Sequence, residues 1–356
     1  MKLRKGNALL KWTNLLLVVV TLFSYLSPTL SPTQFWPASF LGLLYPWLLL
    51  AHVLFVLFWA IKKHYYFLFS TICILVGWGH FTSFVGLHFQ KVEPTSEKQL
   101  KIMSFNCYSL SNRQDQNKLL SKEAFLGYIK PHQPDVLLLQ EFIHRSSAKS
   151  YLQFLAAETG LKHHFWNKRG PLAILSKYPL ENEVIEYFEN RSNGFQYADM
   201  VIDNQKVRVF NVHLQTNAVS SIADKVASEG DIKEKETWLD IKGMMGRYRR
   251  SARLRARQSK QVREIVAASP HPVIVGGDFN DTPMSYTYHH LSQNLTDTFK
   301  ERGRGLGTTY AGSIPALRID YILCDPRFNV LDHRIIKPSF SDHYPVLSSI
   351  QLWNIE

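Results

Sequence analysis

Acidic residues are missing from the first quarter of this chain. Residues 1–89 contain none of its 29 Asp and Glu residues, although they contain six of its 41 Lys and Arg residues. Because soluble surfaces mix charges of both signs, this absence argues against a wholly soluble cytosolic protein. The 46% hydrophobic content of the 356 residues excludes a wholly disordered chain and is ample for a large core.

Several motifs that define common classes of protein are also missing. Three cysteines (Cys73, Cys107 and Cys324) are too few for a disulfide scaffold, and together with the histidines they show no usual zinc-binding spacing. The chain has neither a Walker phosphate loop nor a Gly-x-Ser-x-Gly elbow. We expect Cys107 and Cys324, which lie on or beside predicted core strands, to be buried free thiols.

Uncharged runs fill the first ninety residues instead. One run of 50 residues and one of 27 carry no formal charge, and a membrane helix needs about 20 apolar residues. A polar, proline-bearing turn at residues 27–34 divides the first run. We therefore predict a membrane anchor over residues 1–90 with three transmembrane helices, at residues 12–30, 35–61 and 65–89. A cleaved signal peptide is the alternative for the first helix, but no small-x-small cleavage site follows it.

The placement of Lys and Arg predicts the orientation of this anchor. Four basic residues precede the first predicted helix, none lies between the first and the second, and Lys62 and Lys63 lie between the second and the third. Loops rich in Lys and Arg stay on the cytoplasmic side. The sequence thus predicts an integral membrane protein in contact with the lipid bilayer, with everything after residue 89 extracytoplasmic. It indicates no obligate protein partner.

The remaining residues alternate between strand-like and helix-like segments. Short runs rich in Val, Ile, Leu and Phe end in polar residues, which is typical of strands in buried sheets. These runs are at residues 101–105, 136–139, 172–175, 207–212, 273–275, 319–323 and 346–352. Helical patterns cover residues 117–129, 148–159 and part of 233–268. The alternation predicts layers of helix and sheet over residues 100–356, which a linker at residues 91–99 joins to the anchor.

The polar residues at these strand ends could each make a turn, a cap or a surface ion pair. Together they provide the groups that hydrolysis of a phosphate ester requires. Oxygen ligands for a hard divalent cation come from Glu141, Asn106 and Asp342. The proton acceptor for the attacking water is Asp278, the donors for an anionic transition state are Asn280, His213 and His343, and the carboxylate that orients His343 is Asp320.

These residues lie in six short blocks in a fixed order along the chain. The blocks are Ile-Met-Ser-Phe-Asn106, Pro-Asp-Val-Leu-Leu-Leu-Gln-Glu141, Asn-Val-His213-Leu, Gly-Gly-Asp278-Phe-Asn280, Arg318-Ile-Asp320-Tyr and Ser-Asp342-His343-Tyr-Pro. In these blocks the chain resembles the endonuclease/exonuclease/phosphatase superfamily over about residues 100–352. This DNase I-like group also includes abasic-site endonucleases, inositol-phosphate 5-phosphatases and neutral sphingomyelinases.

The resemblance implies an α/β fold, a four-layer α/β/β/α sandwich of the DNase I-like type, which the three predicted transmembrane helices precede. It also implies dependence on Mg²⁺, for which Mn²⁺ is a possible substitute. Some nucleases of the group have a Glu that supports the histidine equivalent to His213. No such Glu occurs around residues 170–174, which weakens a close analogy with DNase I.

The resemblance also implies a role for each site residue. Glu141 would be the principal metal ligand, with Asn106 and Asp342 near the metal or its waters. Asp278 would orient or deprotonate the water, and Asn280 would hold both the phosphate and Asp278. His213 would bind the scissile phosphate. His343 would stabilise the phosphoryl charge or act as acid and base, and Asp320 would hold its ring in place.

The substrate is indicated only by basic residues. Residues 242–263 contain nine Lys and Arg residues and no acidic one. Arg253 and Arg257 share one helix face and are candidate substrate-binding residues, as are Lys168 and Arg169 further upstream. Three interpretations of the basic helix stay open: a solvated face, contact with anionic lipid headgroups, or a track for a nucleic-acid backbone.

The leading hypothesis is a membrane-anchored, Mg²⁺-dependent phosphoesterase that hydrolyses a phosphodiester by in-line attack of water. The substrate would be a nucleic acid or a phospholipid headgroup. One alternative is a phosphatase that acts on a lipid or sugar phosphate. Another is a membrane receptor or scaffold that binds a ligand with an inactive form of the fold, and the intact Asp278/Asn280 and Asp320/His343 pairs argue against it.

Overall fold

The computed structural model describes residues 5–90, 92, 99–112, 115–142, 148–168, 170–189, 192–217, 234–312, 314–337 and 340–352. Arg169, most of the predicted linker and residues 218–233 lie outside the described residues. The helices are α1 (Lys5–Ser24), α2 (Pro32–Leu43), α3 (Tyr45–Ile61), α4 (Phe67–Val76), α5 (Trp78–Phe84), α6 (Lys122–Ile129), α7 (Ala148–Thr159), α8 (Lys235–Ala267), α9 (Tyr286–Leu291) and α10 (Thr298–Arg302).

The strands form two six-stranded sheets and two short ribbons. The strands are β1 (Val85–Leu87), β2 (Gln99–Asn106), β3 (Ser111–Asn112), β4 (Asp115–Leu119), β5 (Val136–Gln140), β6 (His163–Trp166), β7 (Ala173–Ser176), β8 (Leu180–Tyr187), β9 (Gly194–Ile202), β10 (Gln205–His213), β11 (Val273–Asp278), β12 (Thr296–Asp297), β13 (Arg304–Leu306), β14 (Asp320–Cys324), β15 (Asn329–Ile335) and β16 (Val346–Gln351). The first sheet has the order β12-β14-β11-β10-β9-β8, and the second has the order β15-β16-β2-β5-β7-β6. Each sheet is mixed, because β10 and β11 are parallel in the first, and β2 and β5 are parallel in the second.

The two sheets pack face to face over an apolar core. Side chains such as Ile102, Leu138 and Ile274 are fully buried between them. On the outer face of the second sheet lie α6 and α7, and on the outer face of the first lie α8 and α9. This arrangement of layers confirms the predicted α/β sandwich with two mixed sheets.

The predicted helix at residues 117–129 was wrong in its first part. The structure has strand β4 at Asp115–Leu119, and helix α6 begins only at Lys122. The hydroxyl of Ser121 accepts a hydrogen bond from the backbone N–H of Ala124 at 3.1 Å. Ser121 is therefore an N-cap in extended conformation, which starts the helix at this point and separates it from the strand before it.

The second and third predicted transmembrane helices are each broken into two. Helices α2 and α3 meet at 44°, and α4 and α5 meet at 80°. Pro46 lies in the first turn of α3, where its missing N–H is tolerated, and it starts a new helix there. Of the described helices, α1 alone is long and apolar enough to cross a bilayer, and the number rises to three if each bent pair counts as one span.

The helices α1, α3 and α4 form a bundle that is polar inside. The two ring nitrogens of His52 lie 2.9 Å from the hydroxyls of Ser70 and Thr21, and Ser70 donates to Asn14 at 2.7 Å. All four side chains are fully buried. The outer surface of the bundle is apolar, with exposed side chains that include Leu16, Phe23, Leu54, Leu57, Ile72 and Leu75.

The two ends of this bundle differ. At one end the Lys11 amine lies over the rings of Trp12 and Tyr66, close to Lys62 and Lys63, which follow α3. The other end contacts the sandwich. There Tyr45, Leu49 and Phe84 of the bundle pack against the buried Met284 of the sandwich domain.

Three further contacts join the anchor to the sandwich domain. The Tyr248 hydroxyl of α8 donates to the Ser39 carbonyl of α2 at 2.8 Å, and the Arg318 guanidinium donates to the Ser83 carbonyl of α5 at 2.9 Å. Strand β1 pairs with β13 in a two-stranded antiparallel ribbon. The anchor is therefore packed on the domain through several elements.

Candidate active site

Three adjacent strands of the first sheet bring polar residues side by side. The register pairs His213 with Asp278 between β10 and β11, and Asp278 with Asp320 between β11 and β14. Gly277, just before Asp278, has a φ of +145°, and a Cβ there would lie 1.9 Å from the Val212 carbonyl oxygen. The glycine thus allows β11 to approach β10 closely where the polar row begins.

The second sheet supplies the opposite side of the site. Asn106 at the end of β2 pairs in register with Gln140 of β5, so Glu141 follows beside it. The segment before β16 carries Asp342 and His343 to the same edge. The Ser341 hydroxyl fixes this segment, because it donates to the Asn106 carbonyl at 2.8 Å and accepts from the His343 N–H at 3.0 Å.

A buried amide pair aligns the two sheets beneath the site. The Gln140 side chain donates to Asn211 Oδ1 at 2.6 Å, and Asn211 Nδ2 donates to the carbonyls of Leu139 and Ala173 at 2.9 and 3.0 Å. These residues are fully buried. The pair therefore fixes how the strand ends that carry Glu141 and His213 face each other.

Asp278 lies at the centre of the site. Its Oδ2 accepts hydrogen bonds from the amides of Asn106 and Asn280, both at 3.0 Å, and lies 3.7 Å from Nε2 of both His213 and His343. Burial raises the pKa of Asp278 to about 7, and the charge of Asp320 adds to the rise. A carboxylate with such a pKa can accept a proton from water near neutral pH.

His343 is held as a cation. Burial alone would lower its pKa, but the carboxylates of Asp320 and Asp278 outweigh burial and raise the pKa well above the usual value. Its Nδ1 lies 3.1 and 3.0 Å from the two oxygens of Asp320, which leaves Nε2 turned towards Asp278. The Asp320 carboxylate thus orients the ring, as the sequence predicts.

His213, in contrast, is held in its neutral form. Burial lowers its pKa, although the charge of Glu141 partly opposes the change. Its Nε2 lies 3.3 Å from the amide of Asn193 and 3.6 Å from Glu141 Oε1. Its Nδ1, the nitrogen that faces away from Asp278, has no hydrogen-bond partner among the described residues, so no described side chain supports the ring as Asp320 supports His343.

Glu141, Asp342 and Asn106 form the predicted metal-binding side. Glu141 has a φ of +47°, a costly conformation for a residue other than glycine, and Asn106 donates to its Oε1 at 3.2 Å. Oδ1 of Asp342 is buried and has no hydrogen-bond partner among the described residues. Burial raises the pKa of Asp342, and the nearby charge of Glu141 adds to the rise. Two neighbouring carboxylates, one of which has an unsatisfied buried oxygen, fit a hard divalent cation.

A second group of residues could also hold a metal by distance alone. The ligand atoms of Asp278, Asp320 and His343 lie within 4.8 Å of one another. However, the Asp320 carboxylate is already engaged with the ring of His343. The arrangement therefore fits a positioned imidazole better than a metal centre.

Asn280 uses its amide within the protein. Its Nδ2 donates to Asp278 Oδ2 and to the Leu214 carbonyl, both at 3.0 Å, and its backbone N–H donates to Asp278 Oδ1 at 2.8 Å. Asn280 thus fixes both oxygens of Asp278. Its contact with the phosphate stays a prediction.

The four predicted substrate-binding residues do not gather at this centre. Arg253 is half-buried and donates to the Pro32 carbonyl at 3.3 Å, whereas Arg257 and Lys168 are exposed. Arg169 lies outside the described residues. The basic run is also not one continuous surface, because Arg255 is fully buried.

Sequence reasoning missed Arg255 as a site residue. Its Nε donates to Asp281 Oδ2 at 3.1 Å, and its Nη1 donates to the Gln215 carbonyl at 3.0 Å. Asp281 follows Asn280, and Gln215 lies two residues after His213, so Arg255 ties two catalytic segments together. In the sequence it is one arginine among nine basic residues, and no local pattern distinguishes it from the exposed ones.

Comparison with known protein families gives two matches. A model described as the endonuclease/exonuclease/phosphatase family matches residues 103–343, and a model described as a domain of unknown function matches residues 7–84. A comparison with curated proteins found no match. The first match covers the whole row of site residues from Asn106 to His343.

Solved structures share the fold. An endonuclease/exonuclease/phosphatase from Beutenbergia cavernae has a TM-score of 0.53 at 18% identity, over 72% of each chain. A family protein from Leptotrichia buccalis has a TM-score of 0.51 at 17% identity, over 71% of this chain and 100% of its own. A humanized D. rerio TDP2 with 14 mutations has a TM-score of 0.51 at 18% identity, over 71% of this chain and 99% of its own. At these identities the similarity establishes the sandwich fold.

Proposed function

Because the chain belongs to the endonuclease/exonuclease/phosphatase family, and is therefore a metal-dependent phosphoric ester hydrolase, we propose that it is a membrane-anchored, Mg²⁺-dependent phosphodiesterase. The observation that carries this proposal is the position of Asp278 between two imidazoles, of which His343 is cationic and His213 is neutral. Its Oδ2 lies 3.7 Å from Nε2 of both His213 and His343. This is an arrangement for proton transfer around a phosphate.

Glu141 and Asp342 would hold the metal ion, with the Asn106 amide beside them. The unpartnered Oδ1 of Asp342 supports this assignment. When bound, the ion supplies charge that polarises the phosphoryl oxygens and stabilises the transition state. Oxygen ligands suit Mg²⁺, and Mn²⁺ is a possible substitute.

The chain's own residues then carry the proton transfers. Asp278 accepts a proton from the water that attacks phosphorus in line with the departing ester oxygen. Cationic His343 stabilises the pentavalent phosphoryl group and gives its Nε2 proton to the departing oxygen. Neutral His213 donates one N–H to a non-bridging oxygen. Because Asp278 and His343 are adjacent, the proton on the first returns to the second after turnover.

The charge of the site supports a diester over a monoester. With the proposed divalent ion counted, the ion and His343 bring three positive charges against the carboxylates of Glu141, Asp278, Asp320 and Asp342, so the described groups keep an excess of negative charge. A diester carries a single negative charge, but a monoester carries up to two near neutral pH. A phosphatase acting on a lipid or sugar phosphate is the second candidate, which the exposed Arg257 would favour.

The anchor supports attachment to a bilayer. Its outer surface is apolar, whereas a soluble helical bundle has a polar outer surface, and it encloses the buried polar network of Asn14, Thr21, His52 and Ser70. Lys11, Lys62 and Lys63 lie at the end away from the sandwich, so the positive-inside rule leaves the sandwich extracytoplasmic. In this proposal residues 1–90 are the anchor with three spans, residues 91–99 are the linker and residues 100–356 are the catalytic domain.

The test is turnover of bis(p-nitrophenyl) phosphate by the full chain in detergent, with Mg²⁺, with Mn²⁺ and with EDTA. A panel of plasmid DNA, RNA, sphingomyelin, phosphatidylinositol phosphates and sugar phosphates then identifies the class of ester. We expect metal-dependent cleavage of diesters. Turnover of monoesters alone would favour the phosphatase, and turnover of nothing in the panel would favour the non-catalytic receptor or scaffold.

A variant of Glu141 tests the metal site. Glu141→Gln removes one ligand charge and should raise the Mg²⁺ concentration for half-maximal activity about 10-fold or more. Glu158→Gln is the matched control, because Glu158 is exposed and pairs only with Lys130 on the surface among the described residues. An unchanged Mg²⁺ requirement in Glu141→Gln would contradict the assignment.

A further inference from the structure

A cavity lined by arginines adjoins the catalytic centre but is separate from it. The cavity, of about 620 Å³, lies between the middle of α8 and the end of β8. We name it the arginine cleft, and it is lined by Tyr187, Phe188, Glu189, Gln215, Arg247, Arg250, Ser251, Leu254, Arg257, Gln258 and Gln261. Arg247, Arg250 and Arg257 are exposed, and Glu189 is the one carboxylate among the described residues that line the cleft. These described residues therefore give the cleft an excess of positive charge.

The cleft is rigidly joined to the catalytic centre. Gln215 lies two residues after His213, and its backbone N–H donates to the Gln258 side chain at 2.9 Å. On the other wall, the Gln261 side chain donates to Glu186 of β8 at 2.9 Å. The scissile phosphate already has donors in His213 and His343. The arginines of the cleft thus provide for a different anionic group.

The face of α8 that carries these arginines also contacts the anchor, at the end where the anchor packs on the sandwich domain. Arg253, four residues before Arg257 and three after Arg250, donates to the Pro32 carbonyl at the start of α2. At 1.5 Å per residue, Arg250 and Arg257 lie only about 5–6 Å along α8 from this contact. A second cavity on this face is lined by Arg249, Arg250, Arg253 and Arg257. The arginines therefore lie beside the loop that joins α1 to α2, where α1 leaves the proposed bilayer.

We propose that the arginine cleft binds the phosphate of an anionic lipid headgroup in the bilayer that holds the anchor. The inference rests on the membrane anchoring proposed above. Guanidinium groups hold phosphate oxygens through paired N–H donors, and basic side chains next to a membrane are drawn to anionic lipids. The bound lipid would be the substrate itself or its neighbour, and either would hold the site at the membrane surface.

A nucleic acid is the less suitable occupant. Tyr248 is the only aromatic residue in the basic segment, and it is fully buried against Phe40, with its hydroxyl on Ser39. It is therefore not available to stack on a base, and the aromatic residues that line the cleft, Tyr187 and Phe188, are themselves partly buried. The arginines are also confined to about three turns of helix beside the anchor, where a bilayer would restrict the path of a long duplex.

The binding test uses the full chain in detergent micelles, with native mass spectrometry to count retained lipids. We expect one phosphatidylglycerol molecule to be retained at least tenfold more tightly than phosphatidylcholine. Arg250→Gln/Arg257→Gln should abolish this preference. Lys260→Gln is the matched control, because Lys260 is exposed on the same helix but does not line the cleft, and it should retain the preference.

Two competitors decide between the possible sources of the phosphate. Glycerol 3-phosphate has the headgroup chemistry without acyl chains, and a 20-base-pair oligonucleotide offers a phosphate backbone. The proposal is overturned if the double variant retains phosphatidylglycerol as the wild type does. It is also overturned if either competitor displaces the lipid at an equal phosphate concentration.

A parallel measurement separates the lipid site from the catalytic function. Turnover of bis(p-nitrophenyl) phosphate is recorded in the same samples. Selective retention of phosphatidylglycerol without any turnover would refute the catalytic proposal and support the cleft. Metal-dependent turnover without selective retention would refute the cleft and leave the catalytic proposal standing. A last measurement links lipid binding to turnover. The wild type and Arg250→Gln/Arg257→Gln are compared on an ester carried in phosphatidylcholine vesicles with 0 or 30% phosphatidylglycerol, which shows whether turnover at the vesicle surface depends on the arginines.

Discussion

At the scale of the residue, the proposed catalytic centre is built around one carboxylate with many partners. Oδ2 of Asp278 accepts from two amides and faces two imidazoles, while its Oδ1 accepts from the Asn280 backbone. Such a network fixes the geometry of the carboxylate and so removes reorganisation from the reaction. Its loss should affect turnover far more than folding.

Asp278→Asn tests this role. The amide keeps the size of the side chain but cannot accept a proton, so we expect kcat to fall at least about 10²-fold. The measurement is kcat for bis(p-nitrophenyl) phosphate, with circular dichroism to show that the fold is kept. Asp203→Asn is the control, because Asp203 is exposed at the β9–β10 turn. Retention of most activity by Asp278→Asn would refute the assignment of the base.

A second residue-scale prediction concerns stability against pH. Burial lowers the pKa of His333 to about 3, and its Nδ1 lies 2.8 and 3.0 Å from the hydroxyls of Thr298 and Ser348. The unfolded chain has an ordinary histidine pKa of about 6.5. Between pH 6.5 and 3 only the unfolded chain takes the proton, so the free energy of unfolding should fall by about 2 kcal/mol from pH 6.5 to 5.

His333→Asn should remove this dependence, because asparagine does not titrate. The slope of the melting temperature against pH between 6.5 and 5 should decrease in this variant. The exposed His289→Asn should keep the wild-type slope. Equal slopes in all three proteins would show that His333 does not stay neutral in the fold.

The residues of the site were predictable to different degrees. Polar residues that end a buried strand, such as Asn106 and His213, could be recognised because neighbouring strands end at one edge of a sheet. Asn193 and Arg255 could not, because their roles depend on contacts with segments far away in the chain. Arg255, for example, acts through Asp281 and the Gln215 carbonyl, and no local pattern encodes those partners.

At the scale of the element, several strands of the two six-stranded sheets were not predicted, and β8 and β9 show why; the others include β6 and β15. Strand β8 is largely exposed and rich in Glu, so it lacks an apolar run. Strand β9 carries the buried Asp199 and Gln196 among its apolar residues. Arg208 of β10 compensates Asp199 at 2.6 and 2.9 Å, which a pattern within one strand cannot reveal. Strands with uninterrupted apolar runs, such as β5, were predicted almost to the residue.

One arginine connects several elements, and its removal gives an element-scale prediction. Arg318, just before β14, donates to both oxygens of Asp297 at the N-cap of α10 and to the Ser83 carbonyl of α5. Arg318 holds the pKa of Asp297 below its usual value even though burial opposes this. Arg318→Met would leave that buried carboxylate uncompensated, and we expect a loss of about 3–5 kcal/mol in the free energy of unfolding.

The measurement is the melting temperature of the full chain in detergent, which should fall by about 10 °C. Arg327→Met is the matched control, since Arg327 pairs with Asp325 on the surface and is 46% exposed. An exposed pair contributes about 0–1 kcal/mol, so the control should melt close to the wild type. Similar melting temperatures for the two variants would mean that the Arg318 pair does not join the elements.

At the scale of the whole molecule, the prediction is the side of the membrane on which catalysis occurs. Two reporters are fused in turn after residue 95. A phosphatase that works only outside the cytosol should be active, and a fluorescent protein that works only in the cytosol should be dark. Moving Lys62 and Lys63 into the turn at residues 27–34 should disturb or invert this pattern, because Lys and Arg set the orientation. The opposite pattern in the unaltered protein would place the site, and the arginine cleft, on the cytoplasmic leaflet.

The ribbon of β1 and β13 has a consequence for how the protein is made. About 220 residues separate Val85 from Leu306, its paired partner. At roughly 5–20 residues per second, the ribosome delivers the second strand roughly 10–40 s after the first. During that interval β1 has no β13 to pair with, and the Ser83 carbonyl lacks its hydrogen bond from Arg318. The segment that leaves the ribosome first thus completes its contacts with the domain only after residues 304–318 have been made.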